Sequence, residues 1–396
     1  MRIGMILDNT FPPDPRVENE AISLIKKGHE VLLFCLKYGP EPTDEIHQGI
    51  QVKRYPSNQW LYKLSALAYT VPLYTFLMAR KIRHFIQAHA IEVVHIHDMQ
   101  IGAAVFWAIK KNPLPTVLDL HENRPEIMRY YPHLQSFLGK RLISLKKWKQ
   151  QEETLVKKAD YVLTVTEEAG QELIERTDKP VPNVIAVPNT VRKTFYEDAR
   201  PLQSLLKRYN SYFTLLYIGD TGLRRGLQTA IGAVARLKDR IPEIRLVVVG
   251  RNTTDKVLRA QVARLNIAPW VDFQGWQPEA LFPSYIAAST VCISPLHRNP
   301  HHDTTYANKI CQYMSMGKPL LVSDATAQKQ LVERVGAGLV HRATDQDDFA
   351  KKVAQLYTDQ MLAKQLGDNG RRFISQKFHW EKTSEKLIAL YQNISR

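Results

Sequence analysis

The feature that most constrains the fold is the alternation of short apolar runs with longer helix-like stretches along all 396 residues. Several runs are almost entirely valine, isoleucine and leucine, as in RLVVVG at Arg245–Gly250 and PLLVSD at Pro319–Asp324. Continuous apolar runs of this kind are typical of strands buried on both faces of a parallel sheet. Strand and helix in alternation therefore predict an α/β fold with doubly wound sheets.

The predicted strands form two groups, separated by the irregular segment Val187–Tyr212. The first group comprises Arg2–Leu7, Val31–Leu36, Gln51–Tyr55, Val93–His97, Thr116–Leu120, Tyr161–Val165 and Val184–Val187. The second group comprises Thr214–Gly219, Arg245–Gly250, Val271–Gln274, Val291–Ser294, Leu320–Ser323 and Leu339–His341. Because the chain exceeds the roughly 250–300 residues at which single cores stop growing, we expect two domains with a boundary near residue 200.

Charge and cysteine content restrict the class of partner and the compartment. The net charge of +15, from 54 Lys+Arg against 39 Asp+Glu, favours anionic partners such as acidic lipids or phosphorylated ligands. A nucleic-acid partner is not expected, because no basic stripe is interleaved with aromatic residues. The three cysteines are far apart, which argues against a disulfide framework or a zinc site. The N-terminal MRIGMIL resembles a strand and not a signal peptide, so the sequence predicts a cytoplasmic protein.

One uncharged stretch of the first half has two interpretations. Leu64–Ala79 lies between Lys63 and a basic segment at Arg80–Arg83, and it contains Pro72. A membrane-spanning helix needs about 20 apolar residues, so a span is the weakest reading. The stretch is either a buried helix of the soluble fold or an apolar face that docks on an anionic membrane through its basic flank.

A glycine-containing turn, GDTGLRRG at Gly219–Gly226, joins a predicted strand to a helix that begins at Leu227. Such a turn presents backbone N–H groups and the positive end of a helix dipole to an anion. Its arginines can add charge-assisted phosphate contacts. The alternative is a tight strand-to-helix turn with surface arginines. The candidate phosphate-binding residues are Gly219, Thr221, Gly222, Arg224 and Arg225.

A second polar segment precedes the predicted strand Leu320–Ser323. Its candidate ligand-binding side chains are Thr304, Thr305, Asn308, Lys309 and Gln312. On a helix from about Ala307, Asn308 and Gln312 would share one face, with Lys309 supplying positive charge. The alternative is a capped surface helix. The neighbouring His297, His301, His302 and Asp303 lack a fixed ligand spacing, so we expect no metal site here.

Polar residues also follow the predicted strands of the first half. His97 and His121 stand at strand ends, where a histidine can donate to a carbonyl or to a developing charge. Asp8, Asn9 and Arg16 follow the first strand, in a segment without a G-x-G-x-x-G pattern. The sequence therefore argues against a nicotinamide-dependent dehydrogenase. We expect Asp8, Asn9, Arg16 and His97 to line a ligand cleft at the carboxyl ends of these strands.

Six segments together resemble the GT-B glycosyltransferases of family 4 (group 1), a large bacterial family of retaining enzymes. They are FPPDPRVENEAISLIKKGHEVLLF, EVVHIHD, LDLHEN, YIGDTGLRRGL, NKICQYMSMGKPLLVSD and WEKTSEKLIALY. The resemblance implies two facing Rossmann-like domains with an interdomain cleft. Residues 1–200 would bind the acceptor, with Asp8, Asn9, Arg16 and His97 on the acceptor side. Residues 201–375 would bind the nucleotide-sugar donor, and a closing helix at 376–396 would pack back on the first domain.

The resemblance also implies the activity. The protein would be a retaining, metal-independent hexosyltransferase that uses a nucleotide diphosphate sugar as co-substrate and no other cofactor. The acceptor would be a glycan or a lipid-linked glycan, in bacterial cell-surface polysaccharide or glycoconjugate synthesis. The enzyme would be cytoplasmic, with peripheral contact to the inner face of the membrane.

Three residues are implied as catalytic by their positions in the family's motifs. Arg225 stands where the family usually has the Lys of a Lys-Gly pair that contacts the donor phosphates. His121 stands at the histidine near the transferred sugar. Asn308 and Lys309 match an Asn-Lys pair seen in many members, and Lys309 would assist with the phosphates.

The sequence departs from the family at three positions. Thr304 and Gln312 replace the two glutamates, separated by seven residues, that hold the donor sugar and ribose. Asp220 replaces the arginine expected after the first glycine of the loop. These departures leave open a non-catalytic relative that binds nucleotide or scaffolds a polysaccharide complex. A sugar-nucleotide epimerase or phosphorylase of the same fold is a further alternative.

Overall fold

The computed structural model describes residues 1–130 and 143–395, and the chain divides into two compact units. The first unit contains Met1–Asn189 and the chain from Thr383 onward, and the second contains Thr190–Lys382. Both units are α/β, as the alternating pattern predicts.

The boundary at Asn189 precedes the expected position near residue 200. The segment after it belongs to the second unit because Val191 and Tyr209 are buried in that unit's core. The Tyr209 hydroxyl also donates to Asp272 Oδ2 at 2.8 Å. The irregular sequence of this segment therefore reflects a connection packed on the second unit.

Among the residues described, the first unit forms an eight-stranded sheet of order β3-β4-β2-β1-β5-β6-β7-β8. All neighbours pair parallel except β3 and β4. The strands are β1 (Arg2–Leu7), β2 (Glu30–Lys37), β3 (Asp44–His47), β4 (Ile50–Pro56), β5 (Val93–His97), β6 (Thr116–Leu120), β7 (Tyr161–Thr164) and β8 (Val184–Ala186). The helices are α1 (Pro15–Ile25), α2 (Gln59–Ser65), α3 (Leu73–Ala88), α4 (Met99–Ala108), α5 (Arg124–Met128), α6 (Leu145–Lys158) and α7 (Glu167–Thr177).

The second unit forms a six-stranded parallel sheet of order β11-β10-β9-β12-β13-β14. Its strands are β9 (Phe213–Ile218), β10 (Ile244–Val249), β11 (Val271–Gly275), β12 (Val291–Ser294), β13 (Leu320–Ser323) and β14 (Gly338–His341). The remaining helices are α8 (Thr194–Glu197), α9 (Gln203–Tyr209), α10 (Leu227–Leu237), α11 (Asp255–Arg264), α12 (Phe282–Ala287), α13 (Pro300–Thr304), α14 (Lys309–Ser315), α15 (Thr326–Val335), α16 (Gln346–Thr358), α17 (Gln360–Lys377), α18 (Trp380–Thr383) and α19 (Glu385–Ile394).

The central strand β9 shows why the sheet is buried on both faces. Leu215 and Tyr217 pack into one apolar cluster, whereas Leu216 and Ile218 pack into another. Successive side chains of a strand point to opposite faces, so these clusters cover the two sides of the sheet. The doubly wound arrangement predicted from the apolar runs is confirmed for this unit.

The closing segment forms two helices, and the expectation of one helix at 376–396 is wrong. α18 ends at Thr383, where the chain leaves the second unit. In α19, Leu387 and Tyr391 are buried within the first unit. Phe378, within the segment expected to pack on the first domain, instead stacks on Phe373 of the second unit, with ring centroids 5.1 Å apart.

The uncharged stretch Leu64–Ala79 is divided between α2 and α3, because Pro72 stands at the start of α3. Part of the stretch is buried, as shown by Tyr74 and Met78. The exposed large apolar side chains of this region are Trp60, Tyr62, Val71, Leu73 and Phe76. Across the described residues, no helix is both long and apolar enough to span a membrane.

Candidate functional site

Two glycine turns meet at the carboxyl edge of the second sheet. Gly219 follows β9 with φ +122°, and Gly250 follows β10 with φ +138°. A Cβ atom on Gly250 would lie 1.9 Å from the carbonyl oxygen of Gly219. Both positions therefore require glycine, for the backbone conformation and for the close approach. The result is an edge where the backbone is open to a ligand.

The predicted phosphate loop continues from Gly219 and packs on the chain that follows β12. Leu223–Arg225 forms one turn of 3₁₀ helix, and α10 begins at Leu227, as predicted. A Cβ on Gly226 would lie 1.7 Å from the Pro295 carbonyl oxygen. The backbone N–H of His297 donates to the Arg224 carbonyl at 3.0 Å. The loop is thus held against the segment that leads to α13.

Lys309 is a buried cation at this edge. Its Nζ lies 3.5 Å from the centroid of the Tyr217 ring, in β9. A Cβ on Gly219 would be 3.2 Å from the same Nζ, so the glycine leaves room for the ammonium group. Burial and the charge of Arg225 place the pKa of Lys309 well below its usual value. Within the described part of the chain, no carboxylate forms an ion pair with Lys309.

Asp220 holds Arg225 at the same edge. Arg225 Nε lies 3.4 Å from Asp220 Oδ2. Asp220 Oδ1 accepts from Asn252 Nδ2 at 2.6 Å and from the Gly222 backbone N–H at 3.2 Å. Although burial acts in the opposite direction, the bond from Asn252 and the charge of Arg225 lower the pKa of Asp220. Asp220, which replaces the arginine expected at its position, thus orients Arg225 at this edge.

Two buried histidines of α13, His301 and His302, lie near the arginines of the loop. Burial lowers the pKa of His301 to about 3 and that of His302 to about 4, and the charges of Arg224 and Arg225 act in the same direction. His302 Nδ1 is 2.7 Å from the His297 carbonyl oxygen. His301 Nδ1 and His302 Nε2 are buried without a hydrogen-bond partner among the described residues. These two ring nitrogens are therefore available to a ligand as donor or acceptor, according to the tautomer of each ring.

Three predicted donor-binding hydroxyls already have protein partners. Thr221 is fully buried and its hydroxyl donates to Asp255 at the start of α11. Thr304 Oγ1 donates to the Pro300 carbonyl at 2.9 Å, and Thr305 Oγ1 donates to the His301 carbonyl at 2.8 Å. These hydroxyls stabilise their own loops, and a ligand would have to share them.

The helix expected from about Ala307 begins at Lys309. Asn308 is its exposed N-terminal neighbour, whereas Gln312 is buried within the helix. Asn308 nonetheless has helical backbone angles (φ −51°, ψ −32°), and its carbonyl accepts from the Gln312 N–H at 3.2 Å. The two residues therefore lie one helical turn apart, and a shared ligand-binding face stays a prediction. The helix ends at Ser315, and Gly317, with φ +69°, supplies the predicted stop.

A second cluster lies at the carboxyl edge of the first sheet, around Asp119 in β6. Arg16, from α1, donates through Nε and Nη2 to the two Asp119 oxygens at 2.8 and 2.5 Å. Its Nη1 donates to the Val187 carbonyl at 2.9 Å. Arg16 was predicted on the acceptor side, but it is buried, and its guanidinium is held by the protein.

His121 directly follows β6 and completes this cluster. His121 Nε2 lies 2.9 Å from Asp119 Oδ2 and 3.1 Å from His97 Nδ1. Burial alone would lower the pKa of His121, but the charge of Asp119 raises it to about 9. Arg16 and His121 overcome the effect of burial on Asp119 and hold its pKa well below the usual value.

Asp8 and Asp98 flank this edge. Burial raises the pKa of Asp8 to about 7, against the hydrogen bond that it accepts from Tyr74. Asp98 has φ +68°, a backbone angle unusual for a non-glycine residue. Its Oδ2 accepts a hydrogen bond from Arg124 Nη1 at 3.2 Å. Asn9 is exposed, and its Oδ1 accepts from the backbone N–H of Thr10.

The sequence interpretation missed Asp119, although the pattern contained a signal. TVLDL is a short strand whose other residues are apolar or small, and all five are buried. A carboxylate at a buried strand position requires a cationic or hydrogen-bonding partner. That partner is Arg16, which lies 103 residues earlier in the chain and could not be identified from spacing.

A pocket of about 570 Å³ lies beside the exposed apolar side chains of the first unit. Its lining combines aromatic and aliphatic groups with basic ones. The lining residues are Tyr55, Pro56, Ser57, Asn58, Trp60, Leu61, Leu77, Arg80, Lys81 and His84. The pocket therefore suits a ligand with an apolar part and a negative charge.

Two family models match the chain. The model described as "Glycosyltransferase Family 4" matches residues 16–194, and the model described as "Glycosyl transferases group 1" matches residues 212–359. Together they cover most of both units.

Relatives match at low identity over most of their length. An alpha-D-kanosaminyltransferase of Streptomyces kanamyceticus is 23% identical over 310 residues, which cover 76% of this chain and 77% of the relative. A phosphatidyl-myo-inositol mannosyltransferase of Mycolicibacterium smegmatis is 22% identical over 413 residues, covering 100% and 94%.

Solved structures match in fold. Sucrose-phosphate synthase from Thermosynechococcus elongatus has a TM-score of 0.79 at 18% identity and covers 100% of this chain and 99% of its own. Anabaena HepE, solved in complex with UDP, has a TM-score of 0.75 at 16% identity, with coverage of 99% and 100%.

Proposed function

Because the chain belongs to glycosyltransferase family 4 and has the GT-B fold, we propose that it is a retaining, metal-independent enzyme that uses a nucleotide diphosphate sugar. The acceptor is a glycan or a lipid-linked glycan of a bacterial cell-surface polysaccharide or glycoconjugate. The likeness to HepE, whose structure contains UDP, supports a nucleoside diphosphate as the donor's leaving group.

The observation that carries this proposal is the buried amino group of Lys309, which forms no ion pair with a carboxylate among the described residues. The positive charge of Arg225 acts together with burial to lower the pKa of Lys309, and Gly219 keeps the space beside the ammonium group open. A pyrophosphate here would accept hydrogen bonds from both cations and from the backbone N–H groups at the start of α10. Binding of the donor would therefore restore the charged form of Lys309.

The same groups promote departure of the nucleoside diphosphate. The bond between the anomeric carbon and the β-phosphate oxygen breaks, and the electron pair leaves with that oxygen. Arg225 and Lys309 stabilise the negative charge that develops there, which is where fixed cations lower a barrier most. They supply charge that a metal ion supplies in other transferases.

The acceptor hydroxyl attacks the anomeric carbon from the side of the leaving phosphate, so the configuration is retained. Its proton passes to the departing phosphate oxygen, and no further co-reactant is needed. In this proposal, His121 of the first unit donates a hydrogen bond to the transferred sugar. Asp8, with a pKa of about 7, accepts a hydrogen bond from the acceptor.

The acceptor side of the proposal rests on the first unit. Trp60 and Phe76 are more than half exposed, and Arg80 and Lys81 line the adjacent pocket. Apolar side chains beside basic ones favour a lipid-linked acceptor presented at an anionic membrane surface. We therefore propose peripheral contact with the inner face of the membrane.

The donor proposal is tested by thermal unfolding with UDP-, GDP- and ADP-sugars, because a ligand that binds the native state raises Tm. At least one donor should raise Tm of the wild-type protein and not of Lys309→Ala. A panel without any shift, or an equal shift in the variant, would remove Lys309 from donor binding.

A second candidate is a non-catalytic relative that binds nucleotide. The observation that favours it is the Thr304 hydroxyl, which donates to its own helix at a position where the family has a glutamate. Release of free sugar from a donor in the absence of acceptor would exclude this candidate. Tight nucleotide binding without hydrolysis or transfer would support it.

A further inference from the structure

The buried network around Asp119 contains residues to which the proposed transfer assigns no role. His95 stacks on His97 with ring centroids 4.4 Å apart. His95 Nδ1 lies 2.8 Å from the Tyr391 hydroxyl, so α19 is tied to the cluster. His95 Nε2 lies 3.4 Å from Glu20 Oε2. Each of these groups is buried, which fixes the surroundings of Asp119.

Four members of the network, Glu20, His95, His97 and Asp119, lie close enough to surround an ion. Asp119 argues against that use, because its Oδ2 already meets Arg16 Nε at 2.8 Å and His121 Nε2 at 2.9 Å. Its Oδ1 receives the second guanidinium nitrogen. An added cation would face the Arg16 charge at close range. Instead, both carboxylate oxygens of Asp119 are already bound by the side chains of Arg16 and His121.

The two ring nitrogens of His121 have different surroundings. Nε2 points into the protein, toward Asp119 Oδ2 and His97 Nδ1. The side chain is partly exposed, and Nδ1 has no hydrogen-bond partner among the described residues. If Nε2 is protonated and donates a hydrogen bond to Asp119, a second proton on Nδ1 can be donated to a ligand.

On the basis of the proposed function, we propose that Asp119 is a positioning residue that keeps His121 doubly protonated, with its Nδ1–H directed at an oxygen of the transferred sugar. Arg16 supports this role by holding Asp119 ionised through two hydrogen bonds. A neutral His121 could present Nδ1 as an acceptor, whereas the imidazolium can only donate. The pair therefore decides the direction of the hydrogen bond to the substrate.

The charged environment of His121 is consistent with this assignment. Titratable groups that act on His121, or on which it acts, come from three strands or strand ends and one helix. They are Asp119 in β6, His95 and His97 in β5, Asp98 after β5, and Arg16 and Glu20 in α1. Asp119 and Asp98 favour the charged form of His121, whereas burial and Arg16 oppose it. The net effect raises the pKa of His121 to about 9.

The first experiment needs no substrate. In protein labelled with ¹⁵N-histidine, the His121 signals are assigned by their loss in His121→Gln and followed from pH 5 to pH 10. Both ring nitrogens should be protonated at pH 7.5, with a titration midpoint above 8. A midpoint at or below about 6.5, the ordinary histidine value, would overturn the inference.

The second experiment compares Asp119→Asn with Asp160→Asn. Asp160 accepts from the backbone N–H and the hydroxyl of Thr116, each at 2.8 Å, at the opposite end of β6. Asp119→Asn should lower the His121 midpoint and reduce kcat about 10- to 100-fold, the range for loss of a charge-assisted hydrogen bond. The donor KM should stay unchanged, and Asp160→Asn should alter neither quantity.

The outcomes separate this inference from the proposed function. An unchanged His121 midpoint and kcat in folded Asp119→Asn would overturn the inference. An equal loss of kcat in Asp160→Asn would do the same, because it would indicate a general effect on the sheet. If the wild-type protein turned over no donor, the proposed function would fail together with the inference. If it turned over a donor while His121 titrated normally, only the inference would fail.

Discussion

Lys309 Nζ lies 3.5 Å from the centroid of the Tyr217 ring, so a cation from the start of α14 sits on the aromatic face of a residue in β9. A cation–π contact is worth about 2 kcal/mol or more when desolvated, less than the cost of burying an unpaired ammonium group. The ring therefore holds Lys309 in place without neutralising it. An anionic ligand is the partner that this arrangement lacks.

Replacement of either cation should impair transfer. We expect Lys309→Ala and Arg225→Ala each to reduce kcat by about 10²-fold or more, the loss found when one donor to a developing negative charge is removed. Initial rates at saturating donor measure this. Lys238→Ala is the matched control, because Lys238 pairs with Asp239 at the far end of α10. Near-normal turnover in both site variants would contradict the mechanism.

Gly219→Ala should weaken donor binding. Gly219 and Gly28 both have positive φ, of +122° and +85°, and a Cβ at Gly28 would meet nothing within 4 Å. Each substitution should cost about 1–3 kcal/mol of unfolding free energy from backbone strain. Only Gly219→Ala brings a methyl group to 3.2 Å from Lys309 Nζ.

Urea unfolding and calorimetric titration with nucleoside diphosphate measure the two effects. A donor Kd that changes equally in Gly28→Ala and Gly219→Ala would show that strain, and not the contact with Lys309, is responsible.

Asp8 should make the protein less stable as the pH rises. Its folded pKa of about 7 exceeds the ordinary value of about 4, so the native state binds the proton more tightly than the unfolded state. The unfavourable contribution is absent below about pH 4, grows up to pH 7 and is complete above it. Asp8→Asn should therefore raise Tm relative to wild type at pH 8 and not at pH 4.

Tyr74→Phe provides the complementary test of Asp8. The Tyr74 hydroxyl donates to Asp8 and favours its ionised form, so its removal should raise the pKa of Asp8 further. The fall in Tm between pH 5 and pH 8 should become larger in this variant. Parallel Tm profiles for wild type, Asp8→Asn and Tyr74→Phe would contradict the assignment.

Binding to anionic vesicles should depend on the exposed apolar side chains of the first unit. Phe76→Ser should lower the affinity for phosphatidylglycerol vesicles at low salt about tenfold, because burial of such a side chain contributes about 1.5–3 kcal/mol. Co-sedimentation with the vesicles measures this affinity. Met361→Ser is the control, since Met361 is 84% exposed in the second unit. Wild-type protein that ignored the vesicles would remove the membrane proposal.

The strands that carry the sites were predictable because burial on both faces requires continuous apolar runs. β5, β6 and β13 lie where the sequence predicts them. β3 was missed, because DEIH at Asp44–His47 is a short, largely polar edge strand paired antiparallel with β4. An edge strand has one neighbour and needs little apolar surface, so hydrophobicity carries no signal for it.

The arginines of the predicted phosphate loop, Gly219–Gly226, were recognisable from their place between a strand and a helix. Their surroundings were not. The link from Asn252 through Asp220 to Arg225 joins the ends of two strands, and the Asp119 pair with Arg16 joins β6 to α1. Asn252 and Asp220 are 32 residues apart, and Arg16 and Asp119 are 103 residues apart. The strand order of each sheet brings these pairs together.

The most direct test is a crystal structure of the protein soaked with the nucleoside diphosphate that gives the largest rise in Tm. We expect the pyrophosphate oxygens within hydrogen-bond distance of Lys309 Nζ and the Arg225 guanidinium, next to the backbone of Gly219. A nucleotide bound elsewhere, with Lys309 still resting on Tyr217 and no phosphate beside it, would contradict the account.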